Sequence, residues 1–226
     1  IVNASIKHKI KKLVYVSSIA AIGADKYITT VDEDSSWNSD QNHTAYAYSK
    51  YGAELEVWRG SQEGLNVVIV NPGIILAGEL WERSTASLFR DVAKGIKFYP
   101  TGSAAVVAVE DVVNVLMKLM KSDVLNERFI LVAENISQKE LFSKIATSIG
   151  IKPPNIPLKK WFLYCAFVFE KIFKIIGIRK NFLSTALIEI LTSNQKYEGS
   201  KICGAINFHY DNIDETIKRI GTSYRR

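Results

Sequence analysis

Apolar and polar positions along this chain fall into two alternating periods. Residues 13–17 (Leu-Val-Tyr-Val-Ser) form a continuous apolar run between helical patterns, which predicts a buried parallel strand. The first ten residues place Ile1, Val2, Ile6 and Ile10 on one face, with basic residues towards the end, as in the last turns of a helix. Residues 18–42 read as loop, with an acidic stretch at Asp32, Glu33 and Asp34. Residues 45–59 have helical composition and are ended by Gly60 and Gly64. Residues 66–70 (Asn-Val-Val-Ile-Val) predict a second buried strand, stopped sharply by Asn71, Pro72 and Gly73. The unit over 13–70 is therefore a βαβ crossover, for which right-handed parallel pairing is expected.

The pattern continues with a helix over 84–95, a strand over 104–109, a helix over 111–121 and a strand over 128–132. A helix over 137–149 has Ser137 as N-cap, Glu140 completing a capping box, and Gly150 closing it. Three of the five prolines fall in residues 151–157, a connector. Residues 161–177 are strongly apolar but interrupted by Glu170, Lys171 and Lys174. A spanning helix needs about 20 mainly apolar residues, so the stretch predicts a buried or interfacial helix. Core packing is the favoured reading and weak membrane-surface contact the lesser one. A final helix over 212–224 sets Ile213, Ile217 and Ile220 on one side.

Composition narrows the class. With 226 residues, 47% hydrophobic and 23% charged, the chain is an ordinary globular sequence, which excludes disorder and collagen-like classes. Two cysteines and three scattered histidines supply neither a disulfide framework nor a metal site, so a cytoplasmic, reducing setting is expected. Charge is uneven. Residues 151–226 carry 13 Lys and Arg against 6 Asp and Glu, whereas residues 1–150 carry 16 against 17. The basic third favours anionic partners or is a solvated face. It lacks the aromatic interleaving of a nucleic-acid platform, so no nucleic acid is expected.

The candidate chemistry centres on Tyr46-Ala-Tyr-Ser-Lys50. Tyr46 and Lys50 lie four apart and share a helix face. A Lys ammonium beside a phenol favours the phenolate, which makes Tyr46 a candidate acid/base. Ser18 follows the strand over 13–17. In a doubly wound sheet, ligands bind beyond the carboxyl ends of the strands, so Ser18 is placed to donate to a substrate carbonyl. The competing reading of Ser17 and Ser18 is a turn bonded to its own backbone. Asn71, Pro72 and Gly73 end the next strand in the same position.

These residues together resemble the extended short-chain dehydrogenase/reductases, the NAD-dependent epimerase/dehydratase family, over nearly the whole chain. Residues 12–23 look like the strand bearing the family's catalytic Ser, a role falling to Ser18. Tyr46, Ser49 and Lys50, with Ala53 and Glu54, look like the catalytic helix. Asn71, Pro72 and Gly73 look like the turn beside the nicotinamide, and residues 107–113 like a strand-to-helix segment near the substrate lobe. Residues 197–201 and 213–224 are similar to the end of the dihydroflavonol reductase and hydroxysteroid dehydrogenase branch.

The resemblance implies an α/β fold: the later part of a doubly wound, Rossmann-like parallel sheet over 1–150, with a substrate-lobe insertion at about 75–100. A small, mainly helical substrate-binding lobe is expected over 151–226. It implies NAD or NADP as cofactor, with Tyr46 transferring the proton, Lys50 binding the nicotinamide ribose, and Asn71, Pro72 and Gly73 lying beside the cofactor. The implied activity is carbonyl reduction or secondary-alcohol oxidation on a small, hydrophobic substrate. The alternatives are a nucleotide-sugar epimerase or dehydratase, and a non-catalytic dinucleotide-binding relative. A homodimer is in keeping with the family, which often pairs through helices. No G-x-G-x-x-G or G-x-x-G-x-x-G occurs in these residues. The chain is therefore expected to be the C-terminal two-thirds of such an enzyme, alone binding cofactor weakly, exposing one edge of the strand over 13–17 and dissolving poorly.

Overall fold

A computed structural model describes residues 1–23, 29–78, 86–175 and 183–224, with no side-chain description for 86, 87 and 172–175. In chain order the elements are α1 (Val2–Lys7), β1 (Leu13–Val16), a 3-10 turn (Ile19–Ala21), β2 (Thr30–Val31), α2 (Ala45–Gln62), β3 (Val67–Pro72) and β4 (Ile74–Leu76). There follow α3 (Ala86–Ala93), β5 (Phe98–Pro100), β6 (Ser103–Ala108), α4 (Val109–Lys121), β7 (Glu127–Leu131), β8 (Glu134–Ser137) and α5 (Gln138–Ile149). The chain continues through β9 (Ile156–Leu158), α6 (Lys160–Ile175), α7 (Thr185–Thr192), β10 (Lys196–Tyr197), α8 (Lys201–Ile206) and α9 (Ile213–Tyr224).

The fold is α/β and Rossmann-like. β1, β3 and β7 form a parallel sheet in that order, with Val16 opposite Val70 and Val70 opposite Phe129. Alternate residues of β3 face opposite sides, as a strand's period of two requires. Val67 and Ile69 pack with Val57 of α2 and Val2 of α1, whereas Val68 and Val70 pack with Val115 and Leu119 of α4 and Ile202 of α8. Both faces are covered, which is why β3 is an unbroken apolar run. β1 is an edge strand among the described residues.

A second sheet, β4-β6-β8, is parallel between β4 and β6 and antiparallel between β6 and β8. Leu76, Val106 and Ile136 from its strands pack on Leu141 and Ile145 of α5 and Ile213, Ile217 and Ile220 of α9. The apolar stripe read in the last helix is thus a core face. Ser137 caps α5, its Oγ accepting from Glu140 N at 3.1 Å, and Gly150 closes the helix in the left-handed region at φ 79°.

The structure departs from the sequence reading at several places. The second strand does not stop at residue 70 but runs through Asn71 and Pro72, with Gly73 alone separating it from β4. Pro72 is tolerated for a geometric reason. Val70 O accepts from Ser17 N, so even-numbered residues of β3 face β1, and the missing N–H of Pro72 points past the end of β1. The proline-rich connector holds β9, which pairs in parallel with β5. The apolar stretch after residue 160 forms α6, but among its described side chains only Leu163 is buried, while Trp161 and Phe169 are 64% and 61% exposed. Its burial was expected from hydrophobicity alone, and the helix is docked mainly by its other side. The start of the predicted helix over 84–95 and the end of that over 161–177 lie outside the described residues.

Candidate active site

The site forms where β1 ends and α2 begins. Thr44 starts α2, its Oγ1 accepting from Ala47 N at 3.1 Å. From that cap, Tyr46, Lys50 and Glu54 descend one helix face at intervals of four residues. Their exposure falls along it: Tyr46 is 56% exposed, Lys50 half-buried and Glu54 2% exposed. The Lys50 ammonium donates to Val16 O, the last residue of β1, at 3.4 Å and lies 5.9 Å from the centre of the Tyr46 ring. The sequence-predicted pair is therefore brought together at the carboxyl end of a parallel strand.

Ser18 stands two residues beyond Val16, half-buried, at the start of the 3-10 turn. Its Oγ accepts from Ala20 N at 3.2 Å. That is the local backbone bond expected of a turn serine, and it uses a lone pair but not the hydroxyl proton. The turn itself packs on α2, so the serine and the Tyr-Lys helix are held against each other.

Asn71 is wholly buried. Its Nδ2 donates to Ser18 O at 2.9 Å and to Glu54 Oε2 at 2.8 Å. Glu54 Oε1 accepts from Arg128 at 3.1 Å, and Arg128 also donates to Glu33 O. Glu33 in turn accepts from Ile130 N at 2.8 Å, and burial pushes its carboxyl pKa up. A chain of hydrogen bonds, charge-assisted at Arg128 and Glu54, thus runs from β7 through α2 and β3 to the backbone of Ser18. Asn71 Oδ1 and Ser17 Oγ are buried without a hydrogen-bond partner at this end of the sheet. Tyr15, on β1, has its phenol pKa pushed up by burial and then by the nearby Glu54 carboxylate.

Pro72 is buried within β3, and Gly73 follows it. A Cβ on Gly73 would overlap Ala105 O and lie 3.2 Å from Val132, so a glycine is needed there for β3 and β4 to pass close to β6. Sequence reasoning quoted Glu54 without giving it a role and missed Arg128 and Glu33. Only the i, i+4, i+8 spacing of Tyr46, Lys50 and Glu54 signalled the first; Arg128 meets Glu54 across 74 residues of sequence, and Glu33 is tied to Arg128 across 95. It also read residues 18–42 as plain loop. In the structure Trp37 stacks between His43 at 3.8 Å and Tyr51 of α2 at 4.2 Å, fastening that loop to the helix.

Comparison with known proteins identifies the family. The NAD-binding family model described as "Male sterility protein" matches residues 2–124. A Synechocystis sp. protein named "Putative dihydroflavonol 4-reductase" is 26% identical over 220 residues, covering 93% of this chain and 63% of its own length. Cinnamoyl-CoA reductase 1 of Arabidopsis thaliana is 31% identical over 111 residues, 46% of this chain and 31% of its own. The chain thus spans less than two thirds of these relatives. The crystal structure of gox2253 superposes with a TM-score of 0.85 at 24% identity, over 99% of this chain and 69% of that one. PA4631, a nucleoside-diphosphate-sugar epimerase from Pseudomonas aeruginosa, gives 0.81 at 19% identity, over 99% and 70%. The chain belongs to the NAD-binding Male sterility protein family, within the extended short-chain dehydrogenase/reductase superfamily.

Proposed function

We propose that this chain carries the proton-transfer machinery of an NAD(P)-dependent carbonyl reductase. Tyr46 is the acid/base, Lys50 its charge partner and ribose ligand, and Ser18 the residue that orients the carbonyl. The observation that carries the reading is the meeting of Lys50 with Val16 O at the end of β1, one helical turn below Tyr46 and two residues before Ser18.

The chemistry follows from the donors left over. An ammonium has three donors, and Lys50 spends one on Val16 O. Two remain, enough for a phenol oxygen and a ribose hydroxyl. This fits the nicotinamide end of the cofactor, and Asn71 and Gly73 close the neighbouring strand end. When bound, the cofactor supplies the hydride. As the carbonyl carbon is reduced, its oxygen needs a proton. Tyr46 gives that proton and, being largely exposed, recovers it from solvent. Ser18 keeps its hydroxyl proton free of the turn and donates it to the same oxygen.

Relatives named for cinnamoyl-CoA and dihydroflavonol reduction support a reductase acting on a hydrophobic, conjugated carbonyl compound. The epimerase reading rests on solved structures that share the fold alone. The test is NADPH- and NADH-dependent reduction of cinnamaldehyde by the protein expressed at full length, with Tyr46→Phe beside it. Turnover should fall by about 10²–10⁴-fold while cofactor binding, read by nucleotide fluorescence, stays within about twofold. Unchanged turnover in the variant would sink the mechanism. Cofactor binding without turnover in either protein would favour a non-catalytic relative.

A further inference from the structure

We infer that α6 is a membrane-surface helix, seating its aromatic face in the headgroup region of an anionic phospholipid bilayer. Trp161, Phe162, Cys165, Val168 and Phe169 are all exposed. They stand at i, i+1, i+4, i+7 and i+8, the spacing of one continuous helical stripe. An exposed apolar residue on its own is unremarkable at a protein surface, but a contiguous aromatic stripe marks a contact face.

The opposite side of α6 is the one the protein uses. Leu163 is buried, Tyr164 donates to Glu189 of α7 at 3.1 Å, and Lys160 pairs with the same carboxylate at 2.7 Å. Glu170 is turned to accept from Leu183 N at 3.1 Å. The outward stripe therefore carries no acidic group.

Charge decides among the occupants. Among the described side chains Lys159, Lys160 and Lys171 are positive, Lys160 being paired with Glu189, and the sequence over 172–188 adds Lys174, Arg179 and Lys180 with no acidic residue, leaving the stretch with a net positive charge after Glu170 and Glu189 are counted. A second copy of this chain would bring the same positive charge against itself, which disfavours a self-paired face. An anionic lipid surface complements it, and a Trp- and Phe-bearing face flanked by lysines is the composition that lies in the bilayer interface. No helix among the described residues is long and apolar enough to cross a membrane, so the contact is one of lying on the surface.

Co-sedimentation of the full chain with large vesicles tests this. The vesicles are phosphatidylcholine alone, or phosphatidylcholine with about one third phosphatidylserine, at low and high salt. The variants are Trp161→Ser with Phe169→Ser, and Lys159→Glu with Lys171→Glu. All four positions are exposed, and circular dichroism verifies folding. Binding to the phosphatidylserine vesicles should exceed binding to phosphatidylcholine alone, weaken in high salt, and drop about tenfold or more in either double variant. Equal binding by the wild type and the aromatic variant would overturn the inference, as would no binding at millimolar lipid. A soluble dimer that the aromatic double variant dissociates would also overturn it, by showing a second copy on the face.

Discussion

Glu54 shows how one side chain sets the site. It is a carboxylate with almost no water contact, and it is held by Asn71 on one side and Arg128 on the other. Burying such a group is costly unless every lone pair is used, and here the partners also fix where Ser18 sits. Replacing Glu54 by Leu should leave Asn71 and the mostly buried Arg128 short of partners and cost about 2–4 kcal/mol in urea unfolding. Glu54→Gln, which keeps an acceptor for Asn71, should cost less. A Leu variant as stable as the wild type would show that the network adds nothing to folding. The network is not readable locally, because Arg128 reaches Glu54, and Glu33 reaches Arg128, only once the sheet has formed.

At the scale of elements, α2 shows why the Tyr46–Lys50 helix is legible by motif rather than by amphipathic pattern. Its buried positions include Ala47, Glu54, Val57 and Gly60, so its inward face is part polar and part small, and no clear apolar stripe results. Helix contacts also sort the glycines. Gly52, in α2, faces open space, and a Cβ there would meet nothing within 4 Å. Gly52→Ala should raise stability by about 0.5–1 kcal/mol through backbone entropy and helix propensity. Gly221 lies where α9 crosses α5, and a Cβ there would overlap Ser148 Oγ and come within 2.9 Å of the Ser148 carbonyl carbon. The same propensity gain is then outweighed by overpacking of about 1–3 kcal/mol, so Gly221→Ala should lower the melting temperature. Opposite shifts for the two variants in one thermal scan are the expected result, and shifts of the same sign would refute the packing argument.

Across the whole molecule, a buried acid ties distant segments. Asp111 opens α4 just after β6 and accepts from Asp211 N at 3.1 Å, anchoring the chain before α9. Burial, and next to it the charges of Asp211 and Glu110, push its pKa up to about 6 from 3.8. A carboxyl whose folded pKa is raised binds its proton more tightly in the folded state. Its contribution is therefore most favourable below about pH 4 and is lost as pH rises through 6. Asp111→Asn should match the wild type near pH 4 and become more stable than it by about 2 kcal/mol at pH 7.5. Denaturant unfolding across that range checks the prediction, and a constant difference would show that Asp111 does not titrate there.

What the sequence determined by itself is the set of local facts. Continuous apolar runs made β1, β3 and β7 legible, Ser137 and Gly150 bracketed α5, and the spacing of Tyr46 and Lys50 put both on one face of α2. These follow from periodicity, capping and backbone preference, which act over a few residues. Tertiary structure alone decided that β3 runs on through Pro72, because the missing N–H faces beyond β1. It alone paired β5 with β9 across two prolines, buried Glu54 between Asn71 and Arg128, and turned the aromatic stripe of α6 outward. Each of those depends on which distant backbone or charge arrives alongside, and no local pattern carries that information.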